Sequence, residues 1–147
     1  MPEKKSATRD GYFVFKSITT RWMDNDVYGH VNNVTYYSYF DTAANTYLIE
    51  EGGLNIASSP IIAYVVSSAC DYASGIAYPD KIEAGLRVDR LGNSSVQYGI
   101  AIFKKGEEQA SAHGHFVHVF VERETGKPVP IPEKMRVALE KILVKTA

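Results

Sequence analysis

Asn32-Asn-Val-Thr-Tyr-Tyr-Ser-Tyr-Phe-Asp-Thr-Ala-Ala-Asn-Thr-Tyr-Leu-Ile-Glu-Glu-Gly-Gly53 is the stretch that decides the fold. Val34, Tyr37, Ala44 and Leu48, joined by Phe40 and Tyr47, recur at steps of three and four, the period of a helix with one apolar face. The spacing predicts about five turns. An Asn side chain at the start can accept a hydrogen bond from a free first-turn amide, and Gly52-Gly53 supplies the positive φ that commonly ends a helix.

Outward from this helix the period changes. Residues 12–22 are rich in aromatic and β-branched side chains and read as a first strand, followed by a polar loop over residues 24–30. Downstream, Ile82, Ala84, Leu86 and Val88 alternate with Glu83, Gly85, Arg87 and Asp89. The alternation returns in Val96, Tyr98, Ile100 and Ile102, and again from His113 and His115 to Val121. Residues 61–72 are apolar on both parities over their first half, which predicts a central strand covered on both faces. Gly92-Asn93 and Lys105-Gly106 sit where hairpin turns belong, so the later strands should be antiparallel neighbours. Beyond the proline-rich run at 128–132, Met135, Ala138, Leu139 and Ile142 predict a short amphipathic helix.

The class is therefore α+β: an antiparallel five-stranded sheet wrapped around one long central helix, with a short C-terminal helix. Residues 1–10 are charged and read as a flexible tail, and residues 11–147 as a single domain. One helix cannot cover both sheet faces and the sheet edges, so a homo-oligomer is expected.

Composition narrows the function. The 16 Lys and Arg against 17 Asp and Glu create no global field for nucleic acid or an anionic membrane. No apolar run nears the roughly 18 residues of a membrane span, and the start lacks the apolar segment of a secretory signal. Cys70 is the only cysteine, which excludes an internal disulfide and favours a reducing compartment, so a cytoplasmic location is expected.

The chemistry concentrates in Arg21-Trp-Met-Asp-Asn-Asp26-Val-Tyr-Gly-His30-Val-Asn-Asn-Val-Thr-Tyr36-Tyr. Asp26 precedes a helix start whose free amides carry partial positive charge and suit a carbonyl oxygen. A carboxylate beside a carbonyl so polarised is the minimum for acyl transfer. A thioester fits best, because a thiol leaving group, with a pKa of about 8.5 in cysteine, departs without a general acid. Asp24 reads as a turn residue. His30, with an ordinary pKa of about 6.5, is either a base or a fixer of the loop. Asp41, placed by the periodicity in the apolar stripe, is a buried carboxylate or a second-choice acid. His113 and His115 share a face but find no third ligand of suitable spacing, so no metal is expected. Packing is the reading for Cys70.

The run Arg-Trp-x-Asp-x-Asp-x-x-Gly-His-Val-Asn-Asn resembles hot-dog-fold acyl-CoA thioesterases of the 4-hydroxybenzoyl-CoA thioesterase type, as do residues 90–95 and 126–132, over nearly the full length. The resemblance implies that Asp26 acts as nucleophile or as base for water, with His30 in the same catalytic loop. It implies oxyanion-binding amides at Asn33 and Val34 and substrate contacts at Tyr28 and Gly29. It places the coenzyme A arm near Arg90, Asn93, Ser94 and Ser95. It also implies a homodimer, with pairs of dimers in some members, and no cofactor beyond the coenzyme A carried by the substrate. Acyl carrier protein is the alternative carrier. Where members often carry an acid on the helix followed three positions later by arginine, this chain has Asp41 followed by Ala44. A non-catalytic acyl-CoA-binding module and a hot-dog dehydratase are the rival readings.

Overall fold

A computed structural model describes residues 7–145. The elements run β1 (Val14–Thr19), a short 3-10 turn (Trp22–Asp24), α1 (Asn33–Glu50), β2 (Ile61–Tyr72), β3 (Lys81–Leu91), β4 (Ser95–Lys104), β5 (Ala112–Glu122) and α2 (Glu133–Glu140). The strands form one sheet in the order β1-β3-β4-β5-β2, every pair antiparallel.

The helix begins and ends as its local chemistry dictates. Asn32 Oδ1 accepts the amide of Val34 at 3.0 Å, and Gly53, at φ 73°, turns the chain so that Leu54 donates back to the Leu48 carbonyl. Its buried stripe is Tyr36, Tyr39, Phe40, Ala43, Ala44, Tyr47 and Leu48. This differs in phase from the periodicity read through Val34 and Tyr37: Val34 is 69% exposed, and Asp41 lies on the outward face rather than in the core. The reason is that buried tyrosines keep their hydroxyls satisfied, Tyr39 by Asp24 and Tyr47 by the Ala138 carbonyl, so they outcompete a valine for the core.

The helix lies on one sheet face, where Leu86, Val88, Tyr98, Ile100, Phe116 and Phe120 pack against it, and α2 closes one end with Met135, Ala138 and Leu139. Each side chain of this size buried from water contributes about 1.5–3 kcal/mol. His118 belongs to the same core: burial pushes its imidazole down to about 4, and the Tyr98 hydroxyl lies 3.3 Å from its Nδ1.

The expected central strand at residues 61–72 is instead an edge strand. β2 pairs only with β5, with a register shift between Val65 and Ser67, and Tyr64, Val65 and Val66 are exposed. Apolarity on both parities therefore marks a long open edge here, not double coverage within the chain.

The outer sheet face is covered over part of its area by the chain start. Tyr12, Ala101, Phe103 and Ala110 form a second small core, closed by Phe15 and Ala7. Arg9 pairs with Glu83 at 3.0 Å and lies over the Phe103 ring, while Arg87 lies over Tyr12. Of the tail read at residues 1–10, residues 1–6 lie outside the described residues. Within it, the Ala7 carbonyl accepts the Ala110 amide at 2.8 Å.

Register gives the sheet two distinct ends. Thr19 pairs with Lys81, Ile82 with Lys104, Ile102 with Ala112 and Ala112 with Tyr72, so these residues share the end where α1 begins. Leu91, Ser95, Val119 and Ile61 lie at the opposite end.

Candidate active site

At the end where α1 begins, the chain leaves β1, makes the turn Trp22–Asp24, and folds residues 25–31 into a tight loop. The loop is closed by an antiparallel bridge between Asn25 and Val31 and by the Asp26 amide donating to the His30 carbonyl at 2.9 Å. Gly29, at φ 85°, donates to the Asp26 carbonyl, and its backbone conformation is one that residues with a Cβ rarely adopt.

Asp26 projects from this loop partly exposed. Its Oδ1 accepts the Tyr28 amide at 2.9 Å, and Oδ2 has no partner among the described residues. It borders an open cleft of about 610 Å³ shared with Trp22, Val27, Tyr28 and Asn32. Tyr28 and Val27 are 85% and 94% exposed, so the carboxylate stands among uncovered apolar side chains.

Directly after the loop comes the first turn of α1. The Val34 amide is engaged by Asn32 Oδ1, whereas the Asn33 amide has no partner among the described residues. The Asn33 carbonyl accepts from the Tyr72 hydroxyl at 3.2 Å. A second cavity, of about 330 Å³, opens here between His30, Asn33, Tyr36, Tyr72 and residues 73–75. Tyr36 and Tyr72 meet edge to face, with ring centres 5.0 Å apart. Burial pushes the Tyr36 phenol up to about 12, so it is a hydrogen-bond donor at neutral pH.

The connection from β2 to β3 straps the loop down. Ile76 O accepts the Val31 amide at 2.6 Å, Asn25 Oδ1 accepts the Tyr78 amide at 3.0 Å, and Trp22 meets Tyr78 edge to face. His30 rests on Gly75: a Cβ there would lie 2.7 Å from the ring's Cδ2. The sequence carried no sign of this strap, because its partners are far apart along the chain.

Asp24 also departs from the sequence reading. More than a turn residue, it is a buried anchor whose carboxylate accepts from the Arg21 backbone, the Arg21 side chain and the Tyr39 hydroxyl. Burial pushes its carboxyl up, but the hydrogen bonds from Tyr39 and Arg21 outweigh that and hold it below the usual carboxylate range.

The residues read as coenzyme contacts stand elsewhere. Arg90, Asn93, Ser94 and Ser95 lie around the β3–β4 hairpin, at the far end of an 11-residue strand and so roughly 30 Å from the Asp26 end within one chain. The hairpin is rigidly braced: Arg136 donates to the carbonyls of Gly92 and Asn93, and the Asn93 and Ser94 carbonyls accept the Ile131 and Phe120 amides. Asp41 lies on the outward helix face, held by Asn45 Nδ2 at 3.0 Å, and lines a separate cleft of about 390 Å³. Cys70 is half-buried, and burial pushes its thiol up to about 11, which disfavours the reactive thiolate. Among the described residues, no three His, Cys, Asp or Glu side chains converge as metal ligands would. No helix among them is long and apolar enough to cross a membrane.

A long helix held in the curl of a five-stranded antiparallel sheet defines the hot-dog architecture. A profile of the Thioesterase-like superfamily matches residues 20–139, and the chain belongs to that family. The crystal structure of the PA5185 protein from Pseudomonas aeruginosa PAO1 is similar at a TM-score of 0.94 and 56% identity, covering 97% of this chain and 99% of that one. A thioesterase from Thermus thermophilus, solved in complex with coenzyme A and Zn, is similar at a TM-score of 0.76 and 28% identity, covering 90% and 96%. The protein YsmA of Bacillus subtilis is 26% identical over 123 residues, 82% of this chain and 81% of its own length. Family and neighbours together support a thioester hydrolase.

Proposed function

We propose that the chain hydrolyses an acyl-CoA to the free acid and coenzyme A, with Asp26 as the working carboxylate. The observation that carries this reading is that, among the described residues, Oδ2 of Asp26 is without a partner and its loop leads straight into the Asn33 amide, which also has none. Asp26 either attacks the thioester carbon, giving an anhydride that water then cleaves, or takes a proton from the attacking water. In both routes the carbonyl oxygen gains charge, which the Asn33 N–H at the positive end of the α1 dipole stabilises. The Val34 N–H joins it only when Asn32 releases it. The C–S bond then breaks and the thiolate leaves without needing a proton donor. His30, seated on Gly75, fixes the loop and the mouth of the cavity beside Asn33.

Coenzyme A is the proposed carrier, supported by the coenzyme-bound thioesterase among the similar structures. An acyl carrier protein thioester is the alternative. The lone free Cys70 suits a cytoplasmic setting.

The site is completed by a second copy. β2 presents 12 residues with an unpaired edge and exposed Tyr64, Val65 and Val66, a surface that ordinary monomers blunt. Antiparallel pairing of β2 with its two-fold mate sets the Ile61 end of one protomer beside the Tyr72 end of the other. The partner's braced hairpin end then lies on the same side as Asp26, and Arg90, Asn93, Ser94 and Ser95 serve the neighbour's coenzyme arm, the guanidinium suiting phosphate. Further association of two such dimers is compatible with the same scheme.

Incubating the protein with acetyl-, decanoyl- and benzoyl-CoA in the presence of a thiol reagent tests the activity: thiol release is expected, and saturable binding without release would make the protein a binding module. Val66→Asp on the β2 edge is expected to give a monomer in sedimentation and to lower activity with it.

A further inference from the structure

Asp24 is 2% exposed, and its two carboxylate oxygens meet four protein donors. Oδ2 accepts the Arg21 amide at 2.9 Å and the Tyr39 hydroxyl at 2.8 Å, and Oδ1 accepts Arg21 Nε at 3.1 Å and Nη2 at 3.0 Å. Its backbone is engaged too: the amide donates to the Arg21 carbonyl and the carbonyl accepts the Asn32 amide, both at 2.9 Å. One residue thus joins three parts of the molecule: the turn after β1, the buried face of α1 two turns in, and the cap of α1. The loop with Asp26 is strung between two of these ties, at Asp24 and at Asn32.

We infer that Asp24 is a positioning residue, acting through Tyr39 and Arg21 to fix where the Asp26 carboxylate stands relative to the first amide of α1. The inference rests on the thioesterase reading of Asp26. A buried carboxylate is a poor source of stability, since apolar replacements of similar volume are often neutral or better. A fully satisfied polar network does something else, which is to select one arrangement of the segments it ties. Here those segments carry the attacking oxygen and the oxyanion donor, and in acyl transfer a misplacement of about 1 Å slows the reaction about a hundredfold. Tyr39 is the sensitive link, because its hydroxyl is the one side-chain donor reaching Asp24 from α1. Burial and the Asp24 carboxylate both push that phenol up, so it stays a donor.

The test uses whichever of acetyl-, decanoyl- and benzoyl-CoA the wild-type protein turns over fastest. Tyr39→Phe keeps the ring and deletes the hydroxyl. Its kcat is expected to fall about tenfold with KM within about twofold, in a protein that still melts cooperatively. The double variant Tyr39→Phe/Asp26→Asn is expected to be no slower than Asp26→Asn alone, since positioning has nothing left to act on. Arg21→Gln, which removes two donors from a largely exposed side chain, is expected to lower kcat in the same direction and carries the decision if Tyr39→Phe does not fold. Wild-type kcat in Tyr39→Phe, or in Arg21→Gln where that stands in, overturns the positioning role when Asp26→Asn is inactive. Wild-type kcat in Asp26→Asn, or no turnover of any of the three thioesters by the wild type, overturns the thioesterase reading itself.

Discussion

The turn that carries Asp24 and the loop that carries Asp26 lie two residues apart, yet among the described residues four donors fill the oxygens of the first, while the second accepts one amide and keeps an oxygen open. The side chains are identical, so the difference is made by what surrounds them. Where Arg21 and Tyr39 converge, the carboxylate is a strut; where the loop turns outward at Gly29, the same group borders an open cleft.

The comparison breaks most sharply at Asp24. Asp24→Ala takes the acceptor away from the part-buried Arg21 amide and strands the Tyr39 hydroxyl in the interior, and is expected to lower stability by about 3 kcal/mol, read from chemical denaturation. Asp26→Ala, at the partly exposed site, should shift the same curve by less than about 0.5 kcal/mol.

Acid separates the two as well. Asp24 is held below its ordinary value in the folded protein, so its contribution is fully present above the unfolded pKa of about 3.9 and is lost as pH falls through the lower folded value. The melting-temperature gap between wild type and Asp24→Asn should be full at pH 6 and close below about pH 4. A gap that persisted unchanged into acid would mean the carboxylate charge is not what holds the turn.

Smaller effects sharpen the picture of the loop. Gly29→Ala forces a Cβ into a φ of 85° with open space around it, so the change is purely conformational and should destabilise by about 1 kcal/mol while lowering kcat. Asn32→Ala removes the cap, with an expected loss of about 1 kcal/mol, and frees the Val34 amide. If that amide then joins Asn33 in holding the oxyanion, kcat in the folded Asn32→Ala variant should be kept or raised.

The parts of this architecture written in local chemistry were legible in the sequence. The two ends of α1 follow from one capping side chain and one glycine, and the β3–β4 hairpin from its turn residues. The placement of Asp26 in a loop directly before the helix start was legible because the two are contiguous, while its proposed role awaits the assay. Long-range choices were hidden. Tyr36 and Val34 are both acceptable core residues by hydropathy, and only the positions of hydroxyl partners on other elements set the phase of the stripe. β2 looked central because its apolar residues occupy both parities, a pattern that an open edge produces equally well. Asp24 looked ordinary because its third partner, Tyr39, is 15 residues away. The arm carrying Arg9 and Tyr12, which covers part of the outer face, depends on contacts with residues near 83, 104 and 107 that no local pattern announces.

The most direct test of the account is the turnover of an acyl-CoA thioester by Asp26→Asn, an isosteric change that leaves the Tyr28 amide an acceptor while removing the charge. A loss of at least about a hundredfold in kcat, with an unchanged melting curve, is the predicted result. Near-wild-type kcat in the folded variant would contradict it and move the chemistry to another carboxylate, with Asp41 the first to examine.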